Sequence, residues 1–445
     1  VLERIFKLRE NGTTPMREVA AGFTTFAAMA YILAVNPAIL AAAGMPQPAL
    51  LTATAVSAAV ATLLMAALTN FPIALAPGMG INAFFAFSIC VAMKVPWQSA
   101  LGLVFVNGCV FLLLSLTGVR ERIIDVIPHA LKVAVTAGIG FFIAFIGLQN
   151  GGLVVANPDT MVAMGNLGTP SVAFFLGGLL LTAALIALRL PGAILIAILA
   201  LSLLGVFVPD GKGGFLTKLP TAFVSEPASL APLALHLNFD LFAHDPLRAV
   251  VLTLTLLLVD MFDNIGSLIA VTRRAGIMGA DDKIPRAGRA LVADSTAAIL
   301  SSLLGTSTVV TYIESATGVQ AGGRTGLTAV TTALCFLAAL VFTPILLAVP
   351  AVAVAPALVM VGVFMFEAVT DLDARDTVNF VPAVLTIVMM PLAFSISTGI
   401  GLGILALVVL ALATGRRQVL HPILLVLAAV FLLHFFEAPL LAALR

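Results

Sequence analysis

Apolar residues come along this chain in runs of about 20, divided by short polar stretches. The runs fall at about 19–40, 48–68, 71–93, 97–118, 130–149, 171–188 and 191–208. A polar stretch rich in Pro and Gly follows at 209–246. A second series lies at about 247–271, 289–305, 306–321, 324–349, 351–369, 380–394 and 397–414, and one further run, 419–436, is left over. Helices of this length match the hydrocarbon thickness of a bilayer. The strict alternation of a membrane β-barrel is missing. The pattern predicts an all-α polytopic membrane protein.

Two runs break the rule. Pro72, Pro77, Gly78 and Gly80 interrupt the third, so it is not one helix. Its mate, from Gly305 to Val319, opens on the β-rich stretch Thr306-Ser307-Thr308-Val309-Val310-Thr311 and carries Glu314. In lipid, irregular backbone survives only where protein or a water-filled cavity covers its N–H and C=O groups. Interrupted segments at matching places in two halves are a signature of an inverted-repeat transporter, with the binding site beside them. The halves match elsewhere too. Each has two ordinary runs, an interrupted one, a fourth, then a fifth led by proline: Pro128 before Gly138 and Gly140, Pro350 and Pro356 before Gly362. An odd number of spans per half puts the repeats in opposite orientations, and 209–246 becomes an external linker.

Composition sharpens this picture. Hydrophobic residues make up 61% of the chain and charged ones 10%, against about 25% charged in soluble domains. The net charge of +1 says little about partners, and nothing points to nucleic acid. The placement of charge says more. With the N-terminus inside, Lys94, Lys212, Lys218 and Arg248 fall on outer loops, while nearly all other Lys and Arg fall on inner ones. That is the positive-inside bias, and it predicts a multi-pass protein of the cell (inner) membrane with a cytoplasmic N-terminus. Cys90, Cys109 and Cys335 lie in apolar runs and read as small core residues. His129 and His236 have no metal-ligand spacing, so neither a metal nor a cofactor is expected.

Four acids lie at membrane depth: Asp260, Asp263, Asp294 and Glu314. An Asp at a helix centre costs about 2.5–3.5 kcal/mol on the insertion scale, so each needs a reason. Asp260 and Asp263 are spaced i, i+3, on one helix face, where two carboxylates resist joint ionisation and one can hold a proton. Glu314 sits near the expected start of a half-helix, either as a site carboxylate or as a simple cap. Asn82 holds the corresponding place in the first half and offers a donor and an acceptor. Of Phe84, Phe85 and Phe87, one could stack on a flat ring; packing is the plainer reading. Asp294 suits a structural partner better. No Lys or Arg lies deep in a span, so the site suits a neutral or cationic ligand with N–H donors, and protonatable acids suit H⁺ coupling.

These segments resemble the nucleobase:cation symporter-2 family, and within it the adenine/guanine/hypoxanthine permease branch. The likeness rests on Glu18 with Gly22-Phe23-Thr24-Thr25-Phe26 and Val35-Asn36-Pro37, on Ala76-Pro77-Gly78-Met79-Gly80-Ile81-Asn82-Ala83-Phe84-Phe85, on Asp260-Met261-Phe262-Asp263-Asn264-Ile265-Gly266, and on Tyr312-Ile313-Glu314-Ser315 with Gly322-Gly323-Arg324-Thr325-Gly326. It implies a 7+7 transmembrane inverted repeat of the uracil-permease-like fold, with core and gate domains and short strands in spans 3 and 10. The core would comprise 1–118 and 247–349, the gate 119–208 and 350–445, and 209–246 the external linker. The resemblance implies substrate-binding positions at Asp263, with Asp260 one turn earlier, at Glu314 and at Asn82; with the residues' own chemistry, the candidate substrate-binding set is Asn82, Phe84, Asp260, Asp263, Ser267 and Glu314, and the candidates for proton coupling are Asp260, Asp263 and Glu314. Ser267 stands where uracil-type members often carry His, which favours a purine. The expected function is import of purine nucleobases (adenine, guanine, hypoxanthine) by proton symport, through an elevator-like motion within a homodimer joined by gate domains. The alternative is another solute on the same fold, such as xanthine, uracil or an anion. A membrane aspartyl protease would need a Gly-x-Gly-Asp motif, which is absent.

Overall fold

The computed structural model describes residues 2–117, 128–190, 192–210, 213–220, 222–274, 277, 284, 286–416, 418 and 420–443; the side chains of 262, 263, 265, 266, 269, 270, 273, 274 and 437–443 fall outside that description. The first half contains α1 (Leu2–Phe6), α2 (Pro15–Met29), α3 (Ile32–Ala41), α4 (Gln47–Thr69), β1 (Leu75–Pro77), α5 (Met79–Ala83), α6 (Trp97–Thr117), α7 (His129–Asn150), α8 (Pro170–Ala187) and α9 (Ala193–Leu204). A hairpin of β2 (Val154–Asn157) and β3 (Met161–Met164) lies between α7 and α8. After the linker and α10 (Asp240–His244) come α11 (Pro246–Arg274), α12 (Ala287–Leu304), β4 (Val309–Thr311), α13 (Ser315–Gln320), α14 (Gly326–Ala339), α15 (Thr343–Leu347), α16 (Ala351–Phe366), α17 (Thr377–Leu392), α18 (Ile396–Ala413) and α19 (Pro422–Ala443).

Each apolar run of the sequence holds one element or one broken pair. Eight helices among the described residues are long and apolar enough to cross a membrane, and shorter apolar helices lie at Met79–Ala92, Ala193–Leu204, Thr377–Leu392 and Pro422–Phe436. The interrupted third and tenth runs begin as β1 and β4, which pair antiparallel with Leu75 opposite Thr311, Ala76 opposite Val310 and Pro77 opposite Val309. Antiparallel pairing means that equivalent segments of the two halves run in opposite directions, as an inverted repeat requires. Beyond β1 the chain enters α5 and continues as π-helical turns from Phe84 to Ala92.

Packing sorts the helices around this crossing. α4 and α2 pack on α14, α6 packs on α12 and α11, and α3 packs on α4. Separately, α7 packs on α16 and α17, α17 on α18, and α8 on α16. Glu18 of α2 is buried and caps α14: its carboxylate accepts from the backbone N–H groups of Arg324 (2.9 Å), Thr325 (3.2 Å) and Thr328 (3.2 Å), and from the Thr328 hydroxyl (2.6 Å). The first N–H groups of a helix have no partner within it; the Thr325 hydroxyl serves that of Leu327 locally, and Glu18 serves that of Thr328 from another helix.

The α7–α16 contact depends on glycine. A Cβ on Gly140 would lie 2.6 Å from the Gly362 carbonyl oxygen and 2.7 Å from Met365 Cβ, and one on Gly362 would lie 2.4 Å from the Gly140 carbonyl oxygen. Helix association in membranes relies on such small-residue contacts. Gly140→Val should therefore separate these helices at a cost of about 1–3 kcal/mol, the range for overpacking. Thermal unfolding of the detergent-solubilised protein should show a lower Tm for the variant; an unchanged Tm would mean the helices have room to part.

Candidate functional site

The crossing of β1 and β4 fixes the site, and the reason is a hydrogen-bond account. The Tyr312 N–H donates to the Ala74 carbonyl (3.1 Å) and the Gly78 N–H to the Thr308 carbonyl (3.0 Å), which extends the ladder at both ends. In an antiparallel pair, bonded and non-bonded positions alternate. Leu75 and Pro77 thus occupy positions whose N–H would point outward, and Pro77, which has none, costs the ladder nothing. The Thr62 hydroxyl of α4 bonds both the N–H and the carbonyl of Leu75 (2.9 and 3.0 Å). The Pro77 carbonyl accepts from the Tyr312 hydroxyl (2.7 Å), the Thr311 N–H donates to Asn264 Oδ1 (3.1 Å), and the Ala74 N–H donates to the Ser315 hydroxyl (3.0 Å).

Beside this crossing lies a small cavity of about 80 Å3. Its polar groups come from three places: Tyr31 between α2 and α3, Ser267 on α11, and Thr311 and Glu314 around β4. Met79 and Gly80, at the start of α5, complete that side. Val361 and Met365 of α16 supply the opposite wall, which is apolar. Gly80 allows the close approach: a Cβ there would meet Ile139 Cγ2 of α7 at 2.7 Å. The Tyr31 hydroxyl donates to Glu314 Oε1 at 2.6 Å. Glu314 stands at the N-cap of α13, but its side chain makes no cap bond to that helix. Thr311 is buried, and its hydroxyl has no partner among the described residues.

The residues singled out in the sequence are distributed as follows. Ser267 and Glu314 meet in the cavity. Asp263 belongs to α11, one turn before Ser267, and its side chain lies outside the described residues. Asp260 is buried a further turn back, about 10 Å along the axis from Ser267. Its Oδ2 accepts from Asn107 Nδ2 of α6 at 3.1 Å. Asn82 is fully buried, and its Oδ1 accepts from the Ser307 hydroxyl, which ties α5 to the strand leading into β4. Phe84 is fully buried in the π-helical segment and does not line the cavity. Asp294 is buried in the middle of α12. Tyr31, Thr311, Val361 and Met365 are among the cavity residues that were not singled out. One signal was available for the first, since the chain has only two tyrosines, Tyr31 and Tyr312, and both sit in apolar runs.

Broken, antiparallel spans that cross inside the protein, with a carboxylate at a cavity between helices, define a multi-pass membrane transporter of the inverted-repeat class. Residues 16–402 match the model of a permease family, Xan_ur_permease, and the chain belongs to that family. It is a transporter and not an enzyme. It is 42% identical over 433 residues to the adenine permease AdeP of Escherichia coli (97% of this chain, 95% of that one). It is 41% identical over 447 residues to the guanine/hypoxanthine permease PbuG of Bacillus subtilis (98% and 99%). Among solved structures it is similar to the transmembrane domain of the cyanobacterial bicarbonate transporter BicA (TM-score 0.62, 15% identity, 85% of this chain and 96% of that one). It is also similar to the murine anion transporter Slc26a9 in its inward-facing state (TM-score 0.64, 11% identity, 91% and 68%). At such identities these structures establish the fold alone.

The bond from Thr311 to Asn264 can be tested. Asn264→Leu would leave a buried N–H without its acceptor, at a cost of about 1–3 kcal/mol. A fall in Tm is expected, and a Tm equal to wild type would show that the strand edge is satisfied in another way.

Proposed function

We propose that the chain imports purine nucleobases, adenine, guanine or hypoxanthine, by proton symport. The observation that carries this reading is the cavity formed by Glu314, Tyr31, Ser267 and Thr311. A purine has a flat apolar ring with N–H donors and ring-nitrogen or carbonyl acceptors. A carboxylate and three hydroxyls complement that edge, and Val361 and Met365 complement the face. Asp263 supports the reading from one turn before Ser267, the spacing that puts two residues on one helix face. Relatives named as adenine and as guanine/hypoxanthine permeases support the same substrate class. An anion fits poorly, because no Lys, Arg or His among the described residues lines the cavity. In this reading Glu314 and the Asp260–Asp263 pair carry the proton, and Asn82 and Phe84 shape the site from behind.

The motion is inferred from where the wall divides. The polar groups belong to 1–118 and 247–349, the proposed core, and the apolar wall belongs to 119–208 and 350–445, the proposed gate. The core slides against the gate, carrying the site across the membrane, and 209–246 joins the halves outside. The N-terminus is cytoplasmic, the membrane is the inner one, and two copies associate through their gates.

Labelled hypoxanthine uptake into cells, competed by adenine, guanine, xanthine and uracil, tests the substrate. Saturable uptake blocked by the first two purines is expected; uptake confined to uracil or sulfate would sink the reading. Proton symport requires uptake to fall as external pH rises and to collapse with a protonophore. Strict Na⁺ dependence with no protonophore effect would refute it. Glu314→Gln and Asp263→Asn should abolish uptake while the protein still reaches the membrane, whereas Asp294→Asn should act through stability. A Glu314→Gln protein that transports like wild type would remove Glu314 from the site.

A further inference from the structure

The first span passes beside the cavity at the junction of two helices. α2 ends at Met29 and α3 begins at Ile32, so Ala30 and Tyr31 form a turn within one apolar run. There the Ala34 N–H donates to the Tyr31 carbonyl three residues back (3.0 Å), and the Leu33 N–H to the Ala30 carbonyl (3.1 Å). These bonds are those of a 3-10 turn, and the span continues through it to Ala41. Tyr31 is almost wholly buried, and its hydroxyl reaches Glu314, 283 positions away in the sequence, at 2.6 Å. A buried phenol needs a partner, and a carboxylate makes a short, strong one.

We propose that Tyr31 is the positioning residue for Glu314 and sets the selectivity of the site among purines. By occupying Oε1 it holds the carboxylate in one orientation and leaves Oε2 as a fixed acceptor for one N–H of the ligand. Without the bond, Glu314 can turn about its side-chain torsions and meet other ligand edges. A site built to pair a given N–H rejects analogues lacking it by large factors, but only while the acceptor stays in place. Tyr31 and Glu314 both lie on the polar side of the cavity, away from the α16 wall, so their bond can persist as the site moves. The inference rests on the purine reading above and deepens it.

The test uses the full-length protein in proteoliposomes with an imposed proton gradient. KM and Vmax are measured for hypoxanthine, with competition by hypoxanthines methylated singly at each ring nitrogen. For Tyr31→Phe, KM should rise about 10-fold or more, the loss expected of one hydrogen bond to a charged group, while Vmax stays within about 2-fold. Discrimination against one methylated analogue should shrink by a similar factor. A merely structural tyrosine would lower the amount of active protein and leave that discrimination as in wild type. Should Tyr31→Phe fail to insert, Glu314→Asp withdraws the carboxylate from the same hydroxyl and should lose the same discrimination. Wild-type KM and discrimination in Tyr31→Phe would overturn the proposal, and so would loss of Vmax with discrimination intact. A wild-type protein that takes up no purine would overturn the substrate reading and this inference with it.

Discussion

Everything in this fold depends on how two interrupted spans satisfy their peptide groups where no water is at hand. An unpaired backbone group in hydrocarbon costs several kcal/mol. The chain meets the demand by pairing β1 with β4 and covering the outer edges with side chains. Thr62 serves Leu75, Asn264 serves Thr311, Ser315 serves Ala74, and Tyr312 serves Pro77. Ser315 and Tyr312 reach partners in the other half of the chain, so the crossing is complete only when the two halves have come together. It is then held from several directions, which makes it a firm base for a site.

The same arrangement separates polar from apolar work. Hydrogen-bonding groups gather around the crossing and on the cavity's polar side. The opposing surface offers Ile139, Val361 and Met365, whose contacts carry no directional bonds. One apolar surface can slide over another without breaking a hydrogen bond in the bilayer interior. At the α7–α16 contact the fit is closer, with Gly140 and Gly362 backbone to backbone. That contact suits two helices that stay together while something else moves past them.

Much of this was legible in the sequence, and the parts that were not share a cause. Proline and glycine interrupt helices wherever they stand, so the breaks at Pro77-Gly78 and before Glu314 could be read locally, as could the matching order of the two halves. That Pro77 sits at an outward position of the ladder could not, since it depends on register with a strand over two hundred residues away. Glu314 was legible as a costly acid at depth, but the pairing was not: the scarcity of tyrosine could mark Tyr31, and only the fold brings it to the carboxylate. Asp260 shows the limit of helical periodicity. Spacing places it on the stripe of Asp263, yet its recorded partner, Asn107, belongs to another span. Period gives the face, and only packing gives the neighbour.

The acids themselves show how a carboxylate saturated with donors differs from one with bonding capacity to spare. Glu18 and Glu314 are both acids placed where water is scarce. Glu18 is fully buried and takes four donors, three of them backbone N–H groups, all from the start of α14 and the chain leading into it, so its capacity is spent on holding two spans together. Glu314 is half-buried at a cavity wall, and among the described side chains Tyr31 is its donor. A carboxylate has about four lone-pair sites. One that is saturated by backbone N–H groups would pay the loss of those bonds to accept a ligand or a proton, whereas one held by a single hydroxyl keeps sites to offer. The difference lies in the donors already present and not in the residue type. It explains why an acid deep in this membrane protein can serve as a rivet at one end of a span, and why Glu314 beside the strand crossing suits the binding role proposed for it.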